Sequence, residues 1–314
     1  MLPSEFFRVL LFVTLVGSVY VLTLREAVKL ILHKTGRRIL SISRREVWYR
    51  RIVLSLAALG VICFLYGYLI EPYWPSVTRV KITSDKLPSG SRPIRIAHIS
   101  DLHCDPKPRL EEKLPDIIAA EKPDIIVFTG DSANSAGGIP VFKQCMSRLS
   151  AIAPTFAVKG NWDTALWRRA DLFGDTGARE LKDKAVRIEI EGTPLWIGGV
   201  PAGFRNYIEE AFSDAPANEL KILLYHYPDE IAEAARIGID LYCAGHTHGG
   251  QVALPFYGAL ITLSQFGKKY EAGLYREQGT WMYVNRGIGM EGNVAPRVRF
   301  CARPEVTILE VSSQ

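Results

Sequence analysis

The sequence predicts a layered α/β domain carried behind two membrane-spanning helices. Three observations predict it. Two long apolar runs lie near the N-terminus; downstream of them, apolar β-branched runs alternate with helix-periodic stretches; and Asp, Asn and His residues recur just beyond the ends of the strand-like runs.

The N-terminal part, residues 1–75, reads as a membrane anchor. Phe6 to Leu24 is uncharged but for Arg8, and Ile52 to Ile70 is 19 residues without a charge. Each is long enough to cross about 30 Å of hydrocarbon as a helix. A cleaved signal peptide is the alternative for the first run, but Thr23-Leu24-Arg25-Glu26 follows it in place of small residues at a cleavage site. Between the runs, the loop 25–51 holds Arg25, Lys29, Lys34, Arg37, Arg38, Arg44, Arg45, Arg50 and Arg51 against Glu26 and Glu46. The positive-inside rule keeps that loop in the cytoplasm and sends the domain from residue 76 onward to the outer face. If the second run fails to cross, the domain faces the cytoplasm instead. Trp48 and Tyr49 before the second run, and Tyr66, Tyr68, Tyr73 and Trp74 at its far end, fit interfacial aromatic belts.

Charge is unevenly shared. Residues 1–75 hold 10 of the 38 Lys and Arg and 4 of the 33 Asp and Glu, leaving 28 and 29 for residues 76–314. The basic character belongs to the anchor, where it sets topology and can also meet anionic headgroups. It gives the domain no reason to bind nucleic acid. The five cysteines are scattered singly, with no CxxC pair or disulfide framework.

In residues 76–314, strands are expected at Ile94–Ser100, Asp124–Thr129, Thr155–Lys159, Val186–Ile190, Leu195–Gly199, Leu220–His226 and Leu241–Ala244. Helices are expected near Pro108–Ala120, Val141–Leu149, Asn206–Phe212 and Asp229–Ile237. From about residue 252 onward, short runs such as Trp281–Val284 and Glu305–Glu310 between Gly and Pro turns suit an antiparallel sheet packed on the rest.

In α/β sheets, sites assemble in the loops beyond the carboxyl ends of strands. Asp101 and His103 follow the first strand, Asp131 the second and Asn161 the third; His226 ends a later strand, and His246 and His248 follow the next, in Ala-Gly-His-Thr-His-Gly-Gly-Gln at 244–251. Four of the six histidines fall at such positions. His98, inside a strand, reads as a packing residue, and His33 as a solvated one. Seven N and O donors suit two divalent ions sharing a bridging carboxylate better than one ion, and Asp131, central in chain order, is the natural bridge. A donor set of Asp, Asn and His without Cys favours Mn or Fe, with Zn possible.

Asp101-Leu-His103, Gly130-Asp131, Gly160-Asn161-Trp162-Asp163, His226 and Gly245-His246-Thr247-His248, in this order, resemble the calcineurin-like metallophosphoesterase superfamily. His226-Tyr-Pro-Asp229, Gly249-Gly-Gln251, Arg286-Gly-Ile-Gly289 and Arg303-Pro-Glu305 resemble its membrane-associated bacterial branch, which includes small phosphodiesterases and UDP-2,3-diacylglucosamine pyrophosphatases. The resemblance implies a four-layer sandwich, two mixed sheets flanked by helices. It also implies one ion on Asp101, His103 and His248, a bridging Asp131, a second ion on Asn161, His226 and His246, and catalytic parts for Asp131, Asn161 and Asp163. The chemistry implied is in-line attack of a metal-activated water on phosphorus, in a phosphodiester or pyrophosphate that is plausibly lipid-linked, as in lipid A biosynthesis. The implied location is the bacterial inner membrane, crossed more than once.

One residue departs from the pattern. Many family members carry His after the Asn, placed to protonate the leaving oxygen, where this chain has Trp162. Indole cannot titrate at neutral pH. Either Trp162 packs while another group or water serves as the acid, or the leaving group needs little protonation, as the phosphate ester of a pyrophosphate would.

Other motifs carry less. Gly287-Ile-Gly289-Met-Glu-Gly292 matches a dinucleotide fingerprint, but Asn293-Val-Ala-Pro296 cannot open the required helix, and the glycines instead suit a tight turn near the metal site. Cys104, beside His103, reads as a core thiol. A competing class is a membrane scaffold that keeps the fold without catalysis, against which the complete donor set argues.

Overall fold

The computed structural model describes residues 1–37, 43–292 and 297–314; Arg38 of the basic segment and residues 293–296 lie outside the described part. In chain order the elements are α1 (Pro3–Lys34), α2 (Arg44–Leu69), β1 (Ser76–Ser84), β2 (Ile94–Ile99), α3 (Leu114–Ala120), β3 (Ile125–Phe128), α4 (Ile139–Ser150), β4 (Thr155–Ala157), α5 (Asn161–Leu166), β5 (Arg179–Glu180), β6 (Lys184–Ile190), β7 (Thr193–Gly199), α6 (Ile208–Ala211), β8 (Leu220–Leu224), α7 (Ile231–Arg236), β9 (Leu241–Ala244), β10 (Ala253–Leu254), β11 (Gly258–Ala259), β12 (Gly273–Glu277), β13 (Thr280–Val284) and β14 (Glu305–Ser313).

Two six-stranded mixed sheets carry the domain. One has the order β1-β14-β2-β3-β4-β5 and the other β12-β13-β9-β8-β7-β6. Their facing sides share one core, in which Ile96, Val127 and Leu309 of the first sheet are buried with Ile197, Ile222 and Leu241 of the second. On the outer face of the first sheet, Ile118 of α3 and Phe142, Met146 and Leu149 of α4 are buried with Ile99 and Phe128. On the outer face of the second, Ile208 of α6 and Ile231 and Ala234 of α7 are buried with Leu223 and Tyr242. Helix, sheet, sheet, helix is the four-layer sandwich. The central strands are buried on both faces because both faces are covered, as β3, β8 and β9 show, with Lys221 of β8 the one charged residue among the three.

The late region corrects the expectation of a separate antiparallel sheet. β13 pairs parallel with β9, and β14 inserts between β1, to which it is parallel, and β2, to which it is antiparallel. The last strand is therefore central to the first sheet. The expected helix over Pro108–Ala120 is confined to α3, because the Glu111 carboxylate takes the Arg109 N–H and holds the preceding residues in a turn.

The two N-terminal helices are each long and apolar enough to cross a membrane. Both outrun the apolar segments: α1 continues to Lys34 and α2 starts at Arg44, after a Ser43 cap that accepts the Glu46 N–H at 3.3 Å. Lys and Arg are good helix formers, so the basic segment between the apolar runs is helical at both ends. The helices run antiparallel, with buried Glu26 of α1 bonded to Lys29 at 2.6 Å and to Arg50 of α2 at 3.3 Å. At the opposite end both helices are tied to the domain. The Glu5 carboxylate accepts the Thr262 N–H at 2.8 Å, Arg299 donates its N–H to the Gly67 carbonyl at 2.9 Å, and Glu71 accepts the N–H groups of Cys301 and Ala302 at 3.0 and 2.6 Å. The basic end of the hairpin thus points away from the domain.

Candidate metal centre

The loops after β2, β3, β4, β8 and β9 meet at one end of the two sheets. Backbone bonds lace them together: Asp101 N–H to the Gly130 carbonyl at 2.8 Å, His103 N–H to the Asp131 carbonyl at 3.0 Å, and Gly245 N–H to the His226 carbonyl at 2.9 Å. Five non-glycine residues here, Asp101, His103, Asp131, His246 and His248, have positive φ between 40° and 72°. Such strain persists only where the surroundings enforce it, and it gathers at functional sites. Gly160 fits because a Cβ there would lie 2.8 Å from the Asp131 Cγ, and Gly287, at φ +71°, because its Cβ would lie 2.6 Å from that of Asp101.

Asp101, His103 and His248 form one buried group, and Asp101, Asp131 and His226 a second, the donor atoms of each lying within 4.8 Å of one another. Asp131 Oδ2 stands between the two, 3.3 Å from His226 Nε2 and 3.6 Å from His103 Nε2. Asp101 Oδ1 lies 3.3 Å from His248 Nε2. His246 falls outside both tight groups; its backbone N–H donates to Asp101 Oδ2 at 3.1 Å, and its ring centroid is 5.1 Å from that of His226.

The rings are oriented from behind. His226 donates its Nδ1–H to the Thr129 carbonyl at 2.7 Å, and His103 Nδ1 meets Asn134 Oδ1 at 3.0 Å, so each turns its Nε2 inward. Asn134 is itself held by the His103 and Met290 carbonyls, at 2.9 and 3.1 Å. Sequence reasoning missed it, since nothing local pairs Asn134 with His103.

Among the buried polar atoms of the described residues that make no hydrogen bond are four on candidate ligands: Asp101 Oδ1, His103 Nε2, Asn161 Oδ1 and His226 Nε2. Buried polar groups are nearly always paired, so four such donor atoms converging from one set of loops suit a cationic partner. The electrostatics agree. Burial alone would raise the Asp101 and Asp131 pKa values, but surrounding imidazoles hold both below the usual carboxylate range: His248 first for Asp101, His226 first for Asp131. Burial pushes His103 and His246 down to about 4. His226 goes the other way, to about 9, because Asp131 and Asp101 outweigh its burial. The carboxylates require positive charge beside them. An N and O donor set with orphaned atoms fits divalent ions.

The remaining site residues fall around this centre. Asp163 is fully buried, and its carboxylate accepts the N–H groups of Asp131, Ser132 and Gly160, each at 2.9 Å. Trp162 donates its backbone N–H to Asp131 Oδ1 at 2.8 Å, and its ring meets His103 edge-on, 5.1 Å between centroids. Glu291, another residue that sequence reasoning did not single out, lies near the Trp162 indole, and burial raises its pKa. Beside Asn161 opens a cavity of about 590 Å³ walled by Lys159, Arg168, Lys182, Phe204 and Tyr227. His98 is buried with Nε2 2.9 Å from Thr129 Oγ1, and Cys104 is buried.

A four-layer sandwich with a buried carboxylate and imidazole cluster at its strand ends defines a metallophosphoesterase. A calcineurin-like phosphoesterase family model matches residues 94–250. An uncharacterized metallophosphoesterase YkuE of Bacillus subtilis (strain 168) is 32% identical over 270 residues, covering 79% of this chain and 90% of the relative. Phosphodiesterase YaeI of Escherichia coli (strain K12) is 30% identical over 285 residues, covering 83% and 98%. UDP-2,3-diacylglucosamine pyrophosphatase LpxG of Chlamydia trachomatis serovar D is 26% identical over 316 residues, covering 81% and 94%. The chain belongs to the calcineurin-like phosphoesterase family, in its membrane-associated branch, and is a metal-dependent hydrolase of phosphoric esters.

Proposed function

We propose that the cluster holds two divalent ions and hydrolyses a phosphodiester or pyrophosphate presented at a membrane, residues 1–75 serving as a two-span anchor and residues 76–314 as the catalytic domain. The observation that carries this reading is the convergence of buried donor atoms on Asp101, His103, Asn161 and His226 that make no hydrogen bond. In this assignment Asp101, His103 and His248 hold one ion, Asn161, His226 and His246 the other, and Asp131 bridges. Such ions, when bound, would stabilise charge at the phosphoryl oxygens and acidify water, with Mn or Fe favoured over Zn by the donor set.

The chain's own residues do the rest. Asp163 acts as a positioning residue, since its carboxylate is already bonded to three backbone N–H groups. Of the charged residues lining the cavity beside Asn161, Lys159 and Lys182 ion-pair with Glu180 at 4.0 and 3.0 Å, and Arg168 makes no ion pair among the described residues, leaving the cavity cationic. That charge suits a second phosphoryl group or an anionic leaving group, as in UDP-2,3-diacylglucosamine. Trp162 packs against His103, and Glu291 near it, whose carboxyl burial shifts toward the protonated form, is the candidate proton donor.

The basic segment 25–51 favours a second reading, a general phosphodiesterase facing outward, because a UDP-lipid is made on the cytoplasmic side. Protease accessibility of residues 76–314 in spheroplasts, run beside hydrolysis of a nucleotide-sugar pyrophosphate and a bis-aryl phosphate, separates the two. A protected domain that prefers the pyrophosphate supports the lipid A substrate. A digested domain that prefers the diester rejects it.

A further inference from the structure

The turn bearing His246 and His248 runs on into a segment whose surface is apolar. Phe256, at the tip of the β10–β11 hairpin, is 111% exposed, and Tyr257, Leu263 and Phe266 are 47%, 42% and 49% exposed. Cations stand against these rings: Lys268 Nζ is 3.8 Å from the Tyr257 centroid and Lys269 Nζ 5.7 Å from that of Phe266. Aromatic and aliphatic side chains with lysines behind them are the composition of a lipid interface.

The same segment sits where α1 begins. Thr262 donates its N–H and Oγ1–H to Glu5 at 2.8 and 3.0 Å, and Leu2 closes over Gly267. The exposed side chains of Phe6, Phe7 and Leu10 carry the apolar surface directly onto the helix. The segment is also bonded to the metal centre. Thr247, between the two histidines, donates to the Glu271 carbonyl at 2.7 Å; Glu271 accepts the Ala259 N–H at 3.1 Å; and Asp229, close after His226, accepts from Ser264 Oγ at 2.5 Å and the Gln265 N–H at 3.2 Å.

We propose that residues 255–269 form a second membrane contact. Phe256, Tyr257, Leu263 and Phe266 enter the interfacial layer of the bilayer that holds α1, Lys268 and Lys269, ion-paired with Glu271 and Glu277 at 3.5 and 2.5 Å, lie at the headgroup level, and the loops of the centre are held near the lipid surface. The occupant is the bilayer because the patch is continuous with the exposed apolar face of α1, a helix long enough to cross it. This contact rests on α1 spanning the membrane and deepens the reading of a membrane-presented substrate.

The test uses the full chain in nanodiscs containing phosphatidylglycerol and doxyl-labelled phosphatidylcholine. An NBD label is placed on Phe256→Cys, or on Gln278→Cys as control, with exposed Cys301 changed to Ser. Gln278 is exposed in the β12–β13 hairpin, whose Trp281 bonds Thr83 at the end of β1 remote from α2. The label at 256 is expected to emit at shorter wavelength and to be quenched several-fold more than the label at 278. Equal emission and quenching at both positions overturns the proposal. A blue shift without quenching also overturns it, assigning the patch to a protein contact. This readout needs no hydrolysis, so it stands or falls separately from the catalytic reading. As a second measurement, Phe256→Ser with Phe266→Ser is expected to slow hydrolysis of a vesicle-borne phosphodiester several-fold while leaving a water-soluble bis-aryl phosphate unchanged; equal effects on both contradict a lipid role.

Discussion

The Asp163 carboxylate accepts the Asp131 backbone N–H at 2.9 Å and, through both oxygens, the N–H groups of Ser132 and Gly160 as well. Asp163 therefore fixes the β3 and β4 loops against each other and sets the direction of the Asp131 side chain. Asp163→Asn replaces one acceptor oxygen by a donor that faces an N–H. The expected cost is about 1–3 kcal/mol of stability for the buried group left unpaired, with metal affinity weakened roughly 10–100-fold. A chelator-competition titration and a thermal melt check both; unchanged metal affinity with the acid limb of the pH profile lost would make Asp163 a proton donor instead.

Space at the centre is limited by Asp101. Gly287 holds φ +71°, and a Cβ there would sit 2.6 Å from the Asp101 Cβ. Gly287→Ala is expected to lower kcat at least roughly tenfold, since small misplacements of reacting groups cost up to about 10²-fold. Steady-state rates with a bis-aryl phosphate measure it, and an unchanged kcat would mean that Asp101 can shift without consequence.

The leaving group divides the two readings of Trp162. General acid catalysis contributes about 10²–10⁴-fold when a leaving oxygen needs a proton. Glu291→Gln is accordingly expected to slow an alkyl phosphodiester far more than a nucleotide-sugar pyrophosphate, and Trp162→His to restore part of the loss on the diester. A Glu291→Gln enzyme equally active on both substrates would leave Trp162 with packing alone and water as the proton source.

His98 gives a pH dependence with a definite sign. Burial depresses its pKa from 6.5 to about 3, so the folded protein holds it neutral while the unfolded chain takes up a proton. Its contribution to stability is present above pH 6.5 and is lost as pH falls toward 3. Between pH 7 and pH 5 this amounts to about 2 kcal/mol, at about 1.4 kcal/mol per pH unit below the unfolded value. Melting temperatures in detergent at the two pH values, for wild type and His98→Gln, should show a smaller loss in the variant; parallel losses would place the acid sensitivity elsewhere.

Much of this arrangement is legible in the chain because its causes are local. Strands β3 and β9 are short continuous apolar runs and β8 is apolar but for Lys221, and the polar residues after them stand out against that background. Asp101, His103, Asp131, Asn161, His226, His246 and His248 could be picked out this way before any contact was known. What escaped depends on distant partners. β1 and β12 are half-exposed edge strands whose mixed composition lacks a clear period, and the central place of β14 is set by its pairing with β1 and β2. Asn134 behind His103 and Glu291 beside Trp162 are brought in from separate loops. The positive φ of five site residues leaves only the flanking glycines as a trace. The basic segment between the apolar runs reads as a loop by charge, yet its flanks extend both helices because neither Lys nor Arg opposes helix.

The central claim, two ions bridged by Asp131, is tested most directly by measuring the metal content of the purified full chain by mass spectrometry alongside Mn-dependent hydrolysis of a bis-aryl phosphate, for wild type and Asp131→Ala. Wild type is expected to hold about two ions per chain, and Asp131→Ala to lose an ion with activity reduced by at least roughly 10²–10³-fold. Full activity with one ion or none, or an Asp131→Ala enzyme that keeps both ions and its rate, would contradict it.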